Sequence, residues 1–186
     1  MPRELVLPET SLWFNTEVVA QRYPNKPAYL FFGQPLTFKQ LHEQASALAG
    51  WLQAHGVARG DRVIVFMQNC PQFSVAVQGI LRADAVVVPV NPMNRTEELR
   101  HYIEDSDARL AIVGQDVLPE IEPLGLERVL PIVYSDYLTT KSDLPLPDFV
   151  RAPGSGAWNE MLSANLAPGA HLARSDDLAV MPYTSG

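Results

Sequence analysis

Thr184, Ser185 and Gly186, the last three residues of the chain, are the part of this sequence best suited to chemistry. Threonine and serine hydroxyls are neutral hydrogen-bond donors, and glycine lets the backbone turn so that successive N–H groups face an anion. A cluster of this kind directly after a buried apolar run can open a phosphate-holding turn. The run is present: in "DDLAVMPYTSG", residues 176 to 186, apolar side chains lead straight into the hydroxyls, which predicts a strand over Leu178 to Tyr183. On its own, Thr-Ser-Gly also fits an ordinary turn, so its neighbours must decide.

Other groupings that could carry chemistry fail on spacing or context. "GSGAWN", Gly154 to Asn159, has the first two glycines of a dinucleotide fingerprint but Asn159 in the third place, and it follows a Pro-containing loop. His42, His55, His101 and His171 lie far apart with no ligand spacing among them or with Cys70, so they read as exposed helix or loop histidines and no metal site is expected. There is no G-x-S-x-G elbow; Asp105 with Asp107, and Asp176 with Asp177, read as helix-end and loop charges. No catalytic residue is assigned. Cys70, the single cysteine, excludes an intramolecular disulfide; beside Pro71 it reads as a buried, inert thiol in a reducing compartment.

The elements that must position the Thr-Ser-Gly cluster come next. A chain of 186 residues, 47% hydrophobic, can form one substantial core. With eleven Arg and three Lys scattered singly and a formal charge of −7, it offers no cationic stripe, so nucleic acid is not an expected partner. No stretch has the length of a signal peptide's apolar core or a membrane span, which suggests the cytoplasm. Helical spacing marks "TSLWFNTEVVAQRYP", "LTFKQLHEQASALAGWLQAHGV" (Thr37 and Gln40 as a capping box, Gly56 as the stop), "CPQFSVAVQGILRAD" and "NRTEELRHYIEDSD" with Thr96 as N-cap. Two short strands flank Gly33. Near-continuous apolar runs at Arg62 to Met67, Ala85 to Val90, Arg109 to Val113 and Arg128 to Tyr134, with a weaker helix over Asp116 to Leu124, complete a strand–helix alternation. Its usual solution is an α/β fold, a mostly parallel sheet flanked by helices. We divide the chain into an α/β sheet unit, 1–134, a long surface connection, 135–177, and a strand returning to the sheet with the opening of a phosphate loop, 178–186.

Taken in order, these segments resemble the AMP-forming acyl-CoA synthetases, within the wider adenylating superfamily that includes luciferases and peptide-synthetase adenylation domains. The resemblance runs from "KPAYLFFGQPLTFKQLHEQASALAGWLQAHGVARGDRVIVFMQNCPQF" through "AVQGILRADAVVVPVNPMNRTEELRHYIEDSDARLAIV" to "DDLAVMPYTSG", nearly the whole chain. It implies the first subdomain of the family's large N-terminal domain, and makes Thr184, Ser185 and Gly186 the start of a Thr-Ser-Gly-Thr-Thr-Gly-x-Pro-Lys-Gly loop that grips ATP phosphates. The chain then reads as an N-terminal fragment, inactive alone. Asp84, where relatives carry glycine, departs from the pattern, but aspartate tolerates the left-handed backbone at a helix end better than most residues.

The resemblance further implies a parent ligase that uses Mg2+ with ATP to activate a carboxylic acid, a fatty acid foremost, and passes the acyl group to CoA. It places the metal-binding and catalytic residues beyond Gly186. A fragment separated from the parts that pack on it should expose apolar surface and self-associate. Two alternatives remain open: an inert, synthetase-like interaction or regulatory domain, and a small nucleotide-binding module of doubly wound type.

Overall fold

The structure is a computed structural model that describes residues 8–183; Thr184, Ser185 and Gly186 lie outside the described residues. Local rules explain the two helices that carry most of the core. At the start of α2, Phe38–Ala54, Thr37 Oγ1 accepts from the Gln40 N–H at 3.2 Å. Gln40 Oε1 accepts from the Thr37 N–H at 2.9 Å, so the capping box is formed. Leu41, Ala45, Leu48 and Leu52 are buried along one stripe, and Gly56 at φ 88° terminates the helix. In α3, Pro71–Arg82, proline occupies the first turn, where its missing N–H leaves no bond unmade. α1, Leu12–Arg22, is capped by Ser11 and buries Trp13 and Ala20.

Four strands, β3 Arg62–Phe66, β4 Val86–Val90, β5 Leu110–Gly114 and β6 Arg128–Ile132, form a parallel sheet in the order β4-β3-β5-β6. Successive side chains point to opposite faces. Val63, Val65, Val87, Ile112 and Leu130 join α2, α3 and α7, Ala157–Ala164, in one apolar layer. Ile64, Phe66, Val88, Ala111 and Val113 form the other with Leu99 of α4, Thr96–Ser106, and Ile121 of α5, Leu118–Ile121. β1, Pro27–Phe31, and β2, Gln34–Thr37, make a separate antiparallel hairpin around Phe32 and Gly33, both at positive φ. Among the described residues no helix is long and apolar enough to cross a membrane.

Several expectations change. Thr96 is the first residue of α4 and not its cap: its hydroxyl and N–H both bond Glu120 Oε2, at 2.8 and 3.0 Å, while Glu98 reaches back to the Arg95 N–H at 2.8 Å. The helix expected over 116–124 shortens to α5 plus a 3-10 turn, Glu122–Leu124, because Pro119 and Pro123 remove N–H donors a longer helix would need. The stretch 135–177 is Pro-rich and irregular, yet it carries Val150, Trp158 and Met161 fully into the core, through α6, Asp148–Arg151, and α7. Residues 178–183 meet the sheet through a single parallel bridge, Val180 to Val87 on the outer edge of β4, where an extended strand was expected.

Candidate functional site

A doubly wound sheet ordinarily binds ligands where its strand order reverses, beyond the carboxyl ends of the strands. Here that point lies between β3 and β5, and Tyr134 fills it. Its hydroxyl accepts from the Gln68 N–H at 3.0 Å and donates to Asp116 Oδ1 at 2.7 Å, and its ring is edge-on to Phe149, centroids 5.1 Å apart. Gln115 extends the plug: Oε1 accepts from the Tyr134 N–H at 3.0 Å, and Nε2 donates to the Phe149 carbonyl at 3.1 Å and to the Ala152 carbonyl. At Gly114 a methyl group would run into the Tyr134 hydroxyl. Burial, before any other cause, pushes the Tyr134 phenol far up, so it stays protonated and keeps donating. Tyr134 is fully buried there, so its phenol is held by the protein and is not presented to a ligand.

The chain that leads to Thr184 is held instead along the edge of the molecule. The Gly169 N–H donates to Gln53 Oε1 and its carbonyl accepts from Arg82 Nη2, both at 2.8 Å. Asp84, at φ 61° as its position after α3 requires, accepts from the Leu172 N–H at 2.9 Å and the Ala173 N–H at 3.0 Å. Asp177 accepts from the Arg174 N–H at 2.8 Å and pairs with Arg59 at 2.6 Å. Those two partners, in that order, hold its carboxyl below the usual range. The Val87 N–H then donates to Ala179, 2.9 Å, and the Met181 N–H to Val87, 2.8 Å. Ordering an irregular segment costs about 1–2 kcal/mol per residue, so bonds at intervals of two to four residues are what keeps it in one path.

Ser11, His171 and Asp84 have the chain order of a hydrolytic relay: Ser11 Oγ lies 2.7 Å from His171 Nε2, and His171 Nδ1 lies 2.6 Å from Asp84 Oδ1. Their other bonds decide otherwise. Nδ1 meets that oxygen outside hydrogen-bond geometry, the carboxylate is committed to two backbone N–H groups, and Ser11 Oγ already accepts from the Phe14 N–H at 3.3 Å as the cap of α1. The trio straps the returning segment to α1 and α3. A cavity of about 410 Å³ opens beside it; Ser11, Asp84 and Asp177 of its polar wall are committed groups, and Thr10, Asn15, Arg174 and Ser175 complete that wall.

His171 is therefore not the exposed histidine its sequence suggested. His42 stacks on Trp13 at 5.0 Å and His55 lies 4.0 Å from Trp51, while His101 is exposed. Among the described residues no three His, Cys, Asp or Glu side chains gather to hold a metal ion. Cys70 is buried at the start of α3, and burial pushes its thiol up to about 12. Asp107 caps α4 in the left-handed region and pairs with Arg62 at 3.4 Å.

At the end of the described chain Tyr183 lies on α4. Its ring stacks on Tyr102, centroids 4.4 Å apart at 28°, and its hydroxyl donates to Asp105 Oδ2 at 2.6 Å. α4 is itself fixed at its other end by Glu120, whose carboxyl Arg95 and then Thr96 hold below the usual range. Sequence reasoning read Asp105 as a helix-end charge and Tyr183 as the end of a strand, and gave neither of them, nor Tyr102, a part in the site. The available signals were the i, i+3 spacing of Tyr102 and Asp105, which puts both on one helix face, and the period-two spacing of Met181 and Tyr183, which turns both toward one side.

The profile of the AMP-binding enzyme family matches residues 16–186. The chain is 34% identical over 154 residues to the long-chain-fatty-acid–CoA ligase of Bacillus subtilis (strain 168), covering 82% of this chain and 27% of the relative. It is 32% identical over 189 residues to the long-chain-fatty-acid–CoA ligase of Escherichia coli O6:H1, covering 89% and 32%. The fold superposes on the Mycobacterium tuberculosis fatty acyl CoA synthetase with a TM-score of 0.75 at 24% identity, over 94% of this chain and 32% of that one. The chain thus spans about a quarter to a third of the length of these two curated relatives.

Proposed function

The chain belongs to the AMP-binding enzyme family, and from that premise we propose that it is part of an AMP-forming ligase that joins a carboxylic acid, a long-chain fatty acid foremost, to coenzyme A. The names of the curated relatives support the substrate class. In the proposed reaction a carboxylate oxygen attacks the α-phosphorus of Mg-ATP, the bond to pyrophosphate breaks, and an acyl-adenylate forms. The CoA thiol then attacks the acyl carbonyl, loses its proton and displaces AMP. Little covalent work falls to the protein in the first step, so its contribution is positioning and charge stabilisation.

Thr184, Ser185 and Gly186 are the residues of this chain we assign to that work, as donors to the ATP phosphates through hydroxyls and backbone N–H groups. The observation that best supports the assignment is the parallel bridge of Val180 to Val87, which runs the chain along the sheet edge in the direction of the strands shortly before these three residues. No step is assigned to a metal on this chain; magnesium enters with ATP. The inert thiol Cys70 accords with a reducing compartment, and we assign the protein to the cytoplasm.

Fatty-acid-dependent exchange of pyrophosphate into ATP by the whole enzyme tests the reading. Exchange that requires a long-chain acid is expected, falling on substitution Thr184→Ala or Ser185→Ala. No exchange with any carboxylate would leave the inert interaction domain. A polypeptide of these 186 residues alone should bind ATP weakly: three neutral hydrogen bonds at about 0.5–1.5 kcal/mol each are offset by ordering three residues at about 1–2 kcal/mol each.

A further inference from the structure

A donor loop works only if its first residue is held still, since catalytic groups must sit within about 0.5 Å of productive geometry and a displacement of about 1 Å can cost about a hundredfold in rate. Consecutive Cα atoms are about 3.8 Å apart, so whatever fixes Tyr183 limits where Thr184 can begin. Two separate elements fix this stretch. β4 takes it at Met181, through the N–H bond to the Val87 carbonyl at 2.8 Å. α4 takes it at Tyr183, through the stacked Tyr102 ring, an edge contact with His101 at 6.2 Å, and the 2.6 Å bond from the Tyr183 hydroxyl to Asp105. The side chains of Met181 and Tyr183 both rest on the apolar layer that includes Leu99 of α4.

Packing alone would not need the hydroxyl. A phenylalanine would stack on Tyr102 equally well, so the Tyr183 to Asp105 bond adds a fixed direction to a contact that is otherwise free to slide. Burial, and then the Asp105 carboxylate beside it, push the Tyr183 phenol up to about 12, so the hydroxyl remains a donor throughout the working range.

We propose that Tyr183, held by Tyr102 and by Asp105, is a positioning residue for ATP: it sets the start of the phosphate loop against α4 without touching the nucleotide. The inference rests on the reading of Thr184 to Gly186 as that loop.

The test uses the whole enzyme, with KM for ATP, KM for the fatty acid and kcat measured for Tyr183→Phe, Asp105→Ala, the double variant and Asp105→Asn. Removing one charge-assisted hydrogen bond should raise KM for ATP by about tenfold in each of the first two, with KM for the fatty acid and the melting temperature little changed. The double variant should lose no more than either single one, because both remove the same bond. Asp105→Asn retains an acceptor oxygen and should restore most of the affinity. Unchanged KM for ATP in Tyr183→Phe and Asp105→Ala, against an active wild type, overturns the proposal and leaves the proposed function standing. Parallel losses in every parameter together with the melting temperature overturn it too, as a general structural effect. A wild-type enzyme without carboxylate-dependent exchange removes the proposed function, and this inference with it.

Discussion

Replacing Gly50 by alanine should destabilise the protein, against the ordinary preference of helices. Gly50 lies inside α2, where alanine is normally favoured by about 1 kcal/mol. Here the added methyl would stand 2.6 Å from the carbonyl carbon of Leu166 and 2.9 Å from that of Ala167, and closer still to the Leu166 oxygen, whereas ordinary contact begins at 3.4 Å. Its neighbours are backbone, so no rotamer change relieves the clash. The 166–167 segment cannot simply retreat, because Gly169 is tied to Gln53 and Arg82. Overpacking costs about 1–3 kcal/mol, and loosening the two Gly169 bonds about 0.5–1.5 kcal/mol each, so after the helix preference is subtracted the net loss is about 1–5 kcal/mol. For a chain of this size that lowers Tm by about 2–20 °C. Thermal melts followed by far-UV circular dichroism measure the loss, with limited proteolysis to show cleavage rising within 166–178. Gly79→Ala is the comparison: the nearest atoms to its methyl would be Leu48 Cδ2 at 2.7 Å, Cγ at 2.9 Å and Cβ at 3.0 Å, of which the outer ones can shift with the side chain, so its effect should be smaller than a clash with carbonyl groups. A Gly50→Ala protein that melts at or above the wild type would refute the argument that the returning segment is pressed against α2.

Asp84 separates backbone strain from side-chain bonding: Asp84→Ala loses the bonds to Leu172 and Ala173 and also meets a left-handed cost of about 1–2 kcal/mol, so urea denaturation should show it less stable than Asp84→Gly, which loses only the bonds. The Cys70 thiol, pushed up to about 12, should resist alkylation in the native protein at pH 8 and react fully in guanidinium, as thiol titration would show; prompt native labelling would mean that the start of α3 is open. Because Leu30, Leu172 and Leu178 are 71%, 59% and 61% exposed, the 186-residue chain should self-associate, with a light-scattering mass that rises with concentration; a monomer at high concentration counts against it.

How much of this was legible in the sequence follows from how local each cause is. The capping box of Thr37 and Gln40, the stop at Gly56 and the four parallel strands are written in neighbouring residues and in short apolar runs, and the structure has them where the spacing put them. Asp84 was legible as well, as a residue that can take positive φ in a place suited to glycine. Its second use was not: nothing near residue 84 announces that its carboxylate will capture two N–H groups near residue 172. Thr96 failed for the same reason, since its partner Glu120 is 24 positions away. The stretch after Tyr134 has no periodicity, and composition alone marks it as surface; Trp158 is buried because α2 and β6 leave a gap for it, a fact of assembly and not of local pattern. The same division runs through the candidate site. Thr184, Ser185 and Gly186 fit a phosphate turn by residue type but fit an ordinary turn as well, and the resemblance of the segments around them is what made them the proposed loop. The residues proposed to aim them belong to α4, about 80 positions earlier, and Tyr102 and Asp105 look like any half-buried tyrosine and helix-end carboxylate until Tyr183 is laid across them. Donor chemistry can be concentrated in three consecutive residues, but direction has to come from elements that the chain folds beside them, so the positioning half of such a site is the half a sequence hides.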